Sequence, residues 1–396
     1  MVAAFISPLY ALLVFYLIRK SLRWLKTLFS VCGQKWFTAV YSILCIVFAA
    51  SSVIAFFLTD GGFQRVWKSI GNFSLGFLVY VLLAVGVQEL VKLILIKTKA
   101  MNRKQAGSKK AAAAAGTVML IFIFGMCAYG LVNAQDIKIR NYDIKVDKSA
   151  GNLKELNIAL IADLHLGYNA DSALMQQMVD KVNALNPDIV LCAGDFFDNE
   201  YEALADPEKT EKILAEMKST FGSYTVFGNH DIEEPILGGF TFPSKSAKVT
   251  DPRFVDFVKK SNMTILSDES VLIDNSFYVV GRRDREEPGN EDKSRLTPEE
   301  LISGLNTSKP IIDLEHEPAG LKEVSDAGFD LDLCGHTHAG QIFPGTLIIH
   351  LFWENPWGYE KVGNMQNIVT SGVGSFGPYM RTLCDSEICN IHVTFN

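Results

Sequence analysis

Five short segments in the second half of the chain carry most of its histidines, together with acidic and amide side chains. They are Asp163-Leu164-His165, Gly194-Asp195-Phe196-Phe197-Asp198, Gly228-Asn229-His230-Asp231, Glu315-His316-Glu317-Pro318 and Gly335-His336-Thr337-His338. Imidazole nitrogens combined with carboxylate and amide oxygens suit a hard or borderline divalent cation such as Mn, Fe or Zn. The set is larger than one tetrahedral site needs, and Asp195 is well placed to bridge two ions, which could activate water against a phosphoryl group.

Each of these segments directly follows an apolar run that is typical of a β-strand. The runs are Ile158–Ala162, Ile189–Ala193, Tyr224–Phe227, Ile311–Leu314 and Leu331–Cys334. Residues just past the ends of strands gather at one edge of a sheet, where α/β proteins place their sites. Glycines at 194, 228 and 335 allow tight turns that direct the following side chains over that edge. The pattern therefore predicts that the five segments converge.

The chain from about residue 152 alternates short β-rich runs with amphipathic helical stretches. In the stretch 171–186, apolar residues recur at a spacing of three to four, which predicts a helix packed on a core. Alternation of strand and helix predicts an α/β fold, while later runs, including 271–280 and 346–349, read as consecutive strands. Residues 282–297 are charged and are interrupted by Pro288 and Gly289, which favours an exposed loop.

The five segments resemble, in order, the D-x-H, G-D-x-x-D, G-N-H-D/E, lone His and G-H-x-H motifs of the calcineurin-like metallophosphoesterase superfamily. The resemblance covers roughly residues 155–394 and implies a four-layer α/β/β/α sandwich over residues 152–396. The ending, from Ser371-Gly372-Val373-Gly374 to Arg381 and Cys384, resembles the membrane-attached bacterial branch of the superfamily. Members of that branch are tied to the cell envelope, and some cleave a nucleotide-lipid pyrophosphate.

The resemblance also implies a set of metal ligands and two divalent ions, with Mn favoured over Fe or Zn. The first ion would be bound by Asp163, His165 and His338, the second by Asn229, His316 and His336, and both by Asp195.

The resemblance further implies that His230 contacts the scissile phosphate and protonates the leaving oxygen, with Asp231 orienting its ring. Asp198 would lie behind the ligands. The implied reaction is attack of a metal-bridging hydroxide on a phosphomonoester, phosphodiester or pyrophosphate, with no covalent enzyme intermediate.

The chain as a whole is 48% hydrophobic and its mean hydropathy is +0.17, which points to membrane segments. The long apolar stretches lie in its first third. Four apolar stretches, at about 2–18, 37–58, 73–96 and 116–134, approach or exceed the roughly 17–25 residues that cross a bilayer as a helix. We therefore expect a four-helix transmembrane region over residues 1–134, followed by a linker over residues 135–151.

Charge separates the two parts of the chain. Residues 1–134 hold fourteen Lys and Arg and two acidic residues, a net charge of +12, which leaves −19 for the remainder. An acidic surface repels phosphate backbones, so nucleic acid is not expected as a partner. The basic residues concentrate in the first and third loops, and the positive-inside rule then places both ends of the bundle outside the cytoplasm. The sequence predicts a multi-pass cell-membrane protein with an extracytoplasmic catalytic domain and a phosphorylated, lipid-linked or cell-envelope substrate.

Several alternatives stay open at this point. The chain could be a membrane sensor or scaffold whose metal domain binds a phosphorylated ligand without turnover, although the His230-Asp231 pair favours an enzyme. Transport through the spans would rest only on Glu89 and Lys92.

Three arginines and two cysteines also have open roles. Arg282, Arg283 and Arg381 are either anion-binding residues or solvated loop charges. Cys384 and Cys389 would face an oxidising exterior, so a disulfide between them is one option.

Overall fold

A computed structural model describes residues 2–59, 61–234, 236–237, 240–241, 248–291 and 294–396. The chain divides into two compact units. The helical unit comprises Met1–Gly130, Leu237–Phe240 and Gly377–Tyr379, and the two-sheet unit comprises Leu131–Ile236, Thr241–Phe376 and Met380–Asn396.

The helical unit is built mainly from apolar helices. The helices that begin in this part of the chain are α1 (Val2–Leu28), α2 (Lys35–Ala49), α3 (Ser51–Phe56), α4 (Gly62–Lys97), α5 (Arg103–Ala106) and α6 (Lys109–Asn133). Val14 and Ile18 of α1 pack with Ala49 of α2 in a buried apolar cluster. Glu89, considered above for transport, pairs with Lys20 of α1 at 2.5 Å.

Two of these helices, α4 and α6, are long and apolar enough to cross a membrane by length and composition. The four-helix transmembrane prediction is therefore not confirmed. The predicted span 37–58 divides into α2 and α3 at Ala50, and α2 is only 15 residues long. The predicted span 2–18 lies within α1, which continues to Leu28.

The two-sheet unit contains two six-stranded sheets. The strands of the chain are β1 (Ile137–Val146), β2 (Glu155–Ile161), β3 (Ile189–Ala193), β4 (Ser223–Val226), β5 (Ile236–Leu237), β6 (Phe240–Thr241), β7 (Thr264–Ile265), β8 (Glu269–Ile273), β9 (Phe277–Gly281), β10 (Ile311–Leu314), β11 (Leu331–Cys334), β12 (Gly358–Val362), β13 (Met365–Val369) and β14 (Ser386–Phe395). The first sheet has the order β1-β14-β2-β3-β4-β7, the second has the order β12-β13-β11-β10-β9-β8, and β5 pairs with β6.

Helices cover the outer face of each sheet, and the sheets pack on each other through a shared core. The helices of this unit are α7 (Ser172–Leu185), α8 (Pro207–Leu214), α9 (Pro252–Lys260), α10 (Pro298–Ile302), α11 (Leu321–Ala327) and α12 (Gly345–Ile348). Ile158 of the first sheet shares a buried cluster with Leu333 of the second. Met178 of α7 packs on the outside of the first sheet, and Val324 of α11 packs on the outside of the second. The predicted α/β class is confirmed, with two sheets between helical layers.

The linker expected over residues 135–151 is instead occupied by a strand. All ten residues of β1 pair in parallel with β14 at the edge of the first sheet. Ile137, Ile144 and Val146 are buried there. The polar residues between them hide the pattern, because an edge strand buries only part of its surface.

Two further predictions about strands are corrected. The predicted strand 271–280 is a hairpin of β8 and β9, because Asp274 and Asn275 both adopt positive φ in the three-residue turn 274–276 between the strands. The predicted strand 346–349 lies in α12 and the 3-10 turn after it. An apolar run of four residues fits a strand or a helix equally well, so tertiary contacts decide between them.

The β1 strand predicts that the two-sheet unit begins before residue 137. A chain that starts at residue 135 should unfold cooperatively on heating, whereas a chain that starts at residue 152 should aggregate or melt at a lower temperature. Removing three buried apolar side chains, at roughly 1.5–3 kcal/mol each, costs a large share of a typical domain stability of about 5–15 kcal/mol. Thermal unfolding followed by circular dichroism compares the two. Equal melting temperatures would show that residues 135–151 act as a linker after all.

Candidate metal centre

The five motif segments lie at the ends of neighbouring strands. In the first sheet β2, β3 and β4 are adjacent and parallel, so the residues that follow them emerge at one edge. In the second sheet β10 and β11 are also adjacent and parallel. Because the two sheets pack face to face, both sets of strand ends meet, and the structure brings together all seven residues expected to bind metal.

One group of donors consists of Asp163, His165 and His338. The two imidazole Nε2 atoms of His165 and His338 lie 3.0 Å apart. An oxygen of Asp163 lies 3.7 Å from Nε2 of His338. All three side chains are buried, and their donor atoms lie within 4.8 Å of one another.

A second group surrounds His316. Nδ1 of His316 donates to the carbonyl oxygen of Ala193 at 2.7 Å, which leaves Nε2 facing the centre. This Nε2 lies 3.1 Å from Oδ1 of Asn229 and 3.1 Å from Nδ1 of His336. The ring of His316 is thereby held in one orientation by a backbone contact, as is usual for a histidine that binds metal.

Asp195 lies between the two groups. Its Oδ2 is 3.1 Å from Nε2 of His316 and 3.7 Å from Nε2 of His165. Its Oδ1 accepts the backbone N–H of His230 at 2.8 Å. One carboxylate oxygen therefore faces both sets of donors.

The donor set fits divalent cations. Oxygens of Asp195 and Asn229 and a ring nitrogen of His336 surround Nε2 of His316, and oxygen acceptors gathered in this way require a proton or a cation between them. Burial alone would lower the pKa of His316, but Asp195 and Asp163 outweigh it and raise that pKa well above its usual value. Burial raises the pKa of Asp163 to about 6. Bound cations would compensate the buried donors of both His316 and Asp163. The mixture of nitrogen and oxygen donors is one that divalent cations accept.

The backbone at the centre is strained. Five of the seven candidate ligands, namely Asp163, His165, Asp195, His336 and His338, have φ between 44° and 72°. For a residue with a side chain, this left-handed conformation costs on the order of 1–3 kcal/mol. Such strain persists only where surrounding contacts fix the backbone, and it is characteristic of functional sites.

Two of the motif glycines are required at the centre, one for its backbone conformation and one for lack of space. Gly194 has a φ of +84°, a conformation that a side chain would make costly. Gly228 is required for space, because a Cβ there would lie 2.3 Å from Oδ1 of Asp195 and 2.7 Å from the ring of His316. The turn that carries Asn229 can therefore approach the other ligands only through a glycine.

His230 lies beside the donor groups and contacts Asn199. Its Nδ1 faces Oδ1 of Asn199, whose own Nδ2 donates to the carbonyl of Ile232 at 3.0 Å. The ring also packs against Phe376, with 4.4 Å between ring centroids. Burial lowers the pKa of His230 to about 4, so the ring is neutral at neutral pH before a ligand arrives.

The Asp231 carboxylate has different partners from those expected. It accepts backbone N–H groups from Asp195 at 2.9 Å, Phe197 at 3.0 Å and Gly228 at 2.8 Å. Asp231 therefore joins the turns after β3 and β4, while Asn199 is the residue in contact with the His230 ring. The sequence motif could not separate these roles, because they depend on which way a buried side chain turns.

The contacts of Asp198 and of the arginines show the surroundings of each side chain. Oδ1 of Asp198 is 3.7 Å from Nδ1 of His165, and Asp198, His165 and His230 themselves form a buried group of possible metal donors. Arg381 is fully buried, where it donates to the carbonyl of Ser371 at 2.6 Å and lies 3.2 Å from Nδ1 of His338. It is a support for the centre rather than a solvated charge.

The predicted exposed loop 282–297 is partly buried, and its residues 292–293 lie outside the described part of the chain. Arg282 pairs with Glu315 at 3.0 Å because it directly continues β9 into the interior. Arg283 donates to the carbonyl of Pro288. Cys384 and Cys389 are free thiols, as are the other cysteines in the described residues.

Sequence reasoning missed three residues at the centre: Asn199, Phe376 and Trp353. Trp353 packs edge-on against His336, with ring centroids 5.1 Å apart. Asn199 directly follows the G-D-x-x-D segment and Phe376 lies in the Gly-rich ending, so both stood next to recognised motifs. The part of the sequence around Trp353 carried no comparable signal.

The contacts of Asp231 predict that its main effect is on stability. Asp231→Asn leaves one acceptor oxygen for three N–H groups and should cost at least about 3 kcal/mol, since hydrogen bonds to charged groups contribute about 1.5–3 kcal/mol each. Chemical denaturation of the variant measures this loss. Asp180→Asn, on the exposed face of α7, provides the control and should change little. If Asp231→Asn lost activity at unchanged stability, the result would instead support the expectation that Asp231 orients the His230 ring.

Comparison with known proteins agrees with this geometry. Residues 156–340 match the model of the calcineurin-like phosphoesterase family. A Danio rerio "transmembrane protein with metallophosphoesterase domain" is 30% identical over 93% of this chain and 84% of its own length. An uncharacterized metallophosphoesterase of Campylobacter jejuni is 29% identical over 89% of each chain. The UDP-2,3-diacylglucosamine pyrophosphatase LpxG of Chlamydia trachomatis is 21% identical over 52% of this chain and 70% of its own.

The similarity extends along nearly the whole chain, and the matched region contains the strands and turns that form the centre. The resemblance drawn from the five motifs is confirmed, and this chain belongs to the calcineurin-like metallophosphoesterase family.

Proposed function

We propose that this protein is a membrane-anchored hydrolase that cleaves a phosphoester or pyrophosphate bond at a centre of two divalent cations. The observation that carries the proposal is the position of Asp195, whose Oδ2 faces His165 in one donor group and His316 in the other. When bound, such a pair of ions lowers the pKa of a water and neutralises charge on the phosphoryl oxygens.

The side chains would divide into two ligand sets that share Asp195. The first set is Asp163, His165 and His338, and the second is Asn229, His316 and His336. Mn is the favoured ion, as the family resemblance implies, and three of the seven candidate ligands supply the carboxylate or amide oxygens that suit it.

His230 would bind the phosphoryl group and donate a proton to the leaving oxygen. Its Nδ1 is engaged by Asn199, which leaves Nε2 free to act toward a substrate. An arriving anionic phosphoryl group favours the protonated ring and so raises a pKa that burial holds at about 4. The proton is then available where the leaving oxygen develops charge.

The membrane anchor would place the catalytic domain at a lipid surface. The helices α4 and α6 are long and apolar enough to cross a bilayer, and the Danio rerio relative is named a transmembrane protein. We propose residues 1–134 as the membrane region, residues 152–396 with β1 as the catalytic domain, and an extracytoplasmic orientation from the basic loops. The name of the Chlamydia trachomatis relative, a pyrophosphatase of a lipid-bearing nucleotide, makes lipid-linked phosphates the first substrates to test.

Metal binding and turnover should be lost together when a shared ligand is removed. With added Mn, the full chain should hydrolyse p-nitrophenyl phosphate or its bis-ester, and Asp195→Asn or His316→Ala should lower the rate about a thousandfold or more, because the ions supply several kcal/mol of charge stabilisation. Bound metal is measured by elemental analysis. His392→Ala is the control, since His392 lies in β14, where it faces Asp143.

Metal binding without turnover of phosphomonoesters, phosphodiesters or pyrophosphates would contradict the proposed enzyme and favour a sensor or scaffold. Rapid hydrolysis of soluble nucleotides with none of lipid phosphates would contradict the lipid-linked substrate alone.

His230 and Asn199 should affect turnover more than metal content. His230→Ala should lower kcat by about 10²–10⁴-fold, as expected for loss of a general acid. Asn199→Ala should lower kcat by about 10–100-fold, as for loss of an orienting partner, while Asn199→Asp keeps the acceptor oxygen and should retain more activity. Measurements of kcat and of bound metal on each variant test both. Unchanged kcat in Asn199→Ala would exclude the positioning role.

A further inference from the structure

The segment just after the ligand His338 exposes large apolar side chains. Residues 345–352, here called the apolar loop, comprise α12 and the 3-10 turn that follows it. Leu351 is 81% exposed and Phe352 is 73% exposed. Residues 339–353 contain no Asp, Glu, Lys or Arg, although the chain from residue 135 onward carries a net charge of −19. A contiguous exposed apolar patch of this kind marks an interaction surface.

The apolar loop is attached directly to the metal centre. At its end, Trp353 packs edge-on against the ring of His336. At its start, a Cβ on Gly340 would lie 2.4 Å from the backbone of Gly345, so the chain closes tightly on the turn that carries His338. Whatever covers the loop therefore lies next to the candidate active site.

The base of the loop is also linked to the end of α6. The backbone N–H of Thr382 donates to the carbonyl of Gln341 at 3.0 Å, and the N–H of Phe343 donates to Oγ1 of Thr382 at 2.9 Å. In the same segment, the carbonyl of Cys384 accepts Nδ2 of Asn133, the last residue of α6, at 2.7 Å.

A further apolar side chain lies in this connection. Leu383, between Thr382 and Cys384, is 65% exposed and has a φ of 62°. The last turn of α6, the segment 381–384 and the base of the apolar loop thus form one hydrogen-bonded structure that presents apolar groups.

We propose that the apolar loop and Leu383 insert into the interfacial layer of the same bilayer that α6 crosses. The proposal rests on α6 being a membrane span, which is part of the proposed function, but it does not require turnover. Only residues 134–136 separate α6 from β1, and three residues reach at most about 10–11 Å, so the start of β1 lies within that chain length of the end of α6.

The chemistry of the loop fits a lipid interface better than water. Its exposed large side chains are Leu347, Ile348, Leu351 and Phe352, with His350 among them and Trp353 beside them, and apolar and aromatic residues of this kind anchor proteins at the level of the headgroups. Charged residues, which would resist burial there, are missing from residues 339–353 of the sequence. Insertion would hold the metal centre where the phosphate of a lipid-linked substrate lies.

Depth-dependent fluorescence quenching in the full chain tests the insertion. The protein is reconstituted in phosphatidylcholine nanodiscs with an environment-sensitive fluorophore on Leu351→Cys, and nitroxide-labelled lipid is the quencher. A matched label on Leu272→Cys, an exposed position in the edge strand β8, is the control, and the unsubstituted chain gives the background from native cysteines. Quenching at residue 351 should be at least about fivefold stronger than at residue 272, since interfacial segments lie about 5–10 Å into the bilayer.

Two further measurements make the result decisive. A label on Ile121→Cys, an exposed position of α6, reports on the span itself. Adding Leu347→Glu to the labelled Leu351→Cys chain should reduce quenching at residue 351 toward the level of the control. Quenching at residue 121 with none at residue 351 overturns the insertion alone, and no quenching at either position overturns the span as well. A blue-shifted but unquenched label at residue 351 also overturns the proposal, because a second copy of the chain would then cover the loop.

Discussion

The buried carboxylate of Asp195 is the charge on which the site depends. It is nearly inaccessible to water, and an isolated buried carboxylate would be strongly unfavourable. Burial opposes its ionisation, but His316 and His230 outweigh that effect and hold its pKa well below the usual value. Its backbone N–H is in turn fixed by Asp231. A buried carboxylate that is ionised and surrounded by imidazoles in this way is suited to bind cations on both sides.

The two-sheet architecture explains why so many donors can surround one carboxylate. Parallel neighbours β2, β3 and β4 deliver side chains from one sheet, and β10 and β11 deliver them from the other. Five of the candidate ligands adopt left-handed backbone conformations at the centre, at a cost that local contacts must offset. The backbone hydrogen bonds to Asp231 and the buried guanidinium of Arg381 are two such contacts. Contacts within the turns therefore stabilise the centre in addition to the hydrogen bonds of the strands.

The same turns connect the candidate metal centre to the surface of the two-sheet unit. The ligand-bearing segment 336–338 continues into the apolar loop, and the segment 381–384 joins that loop to the end of α6. Arg381 belongs to this connection and also contacts His338. A change at the surface near Leu383 can therefore reach the candidate ligand His338 through few intermediate residues, and the proposed membrane contact would have a direct physical route to the site.

The sequence by itself determined the α/β class, most strand positions and the identity of the converging side chains. These features depend on local apolar patterns and on ordered motifs, which require no knowledge of distant contacts. It did not reveal β1, because an edge strand buries too few residues to stand out beside polar neighbours. It also could not distinguish α12 from a short strand.

Only the tertiary structure decided which partner each buried polar group takes. Asp231 and Asn199 both lie near His230. The Asp231 side chain accepts backbone N–H groups, whereas the Asn199 side chain contacts the His230 ring. Arg282 is buried because Glu315, 33 residues away in the sequence, supplies an acceptor for it, and Arg381 is buried because the chain folds back so that the carbonyl of Ser371 accepts from it. The energy of a buried charge depends on groups brought together by folding, and their order along the chain does not encode it.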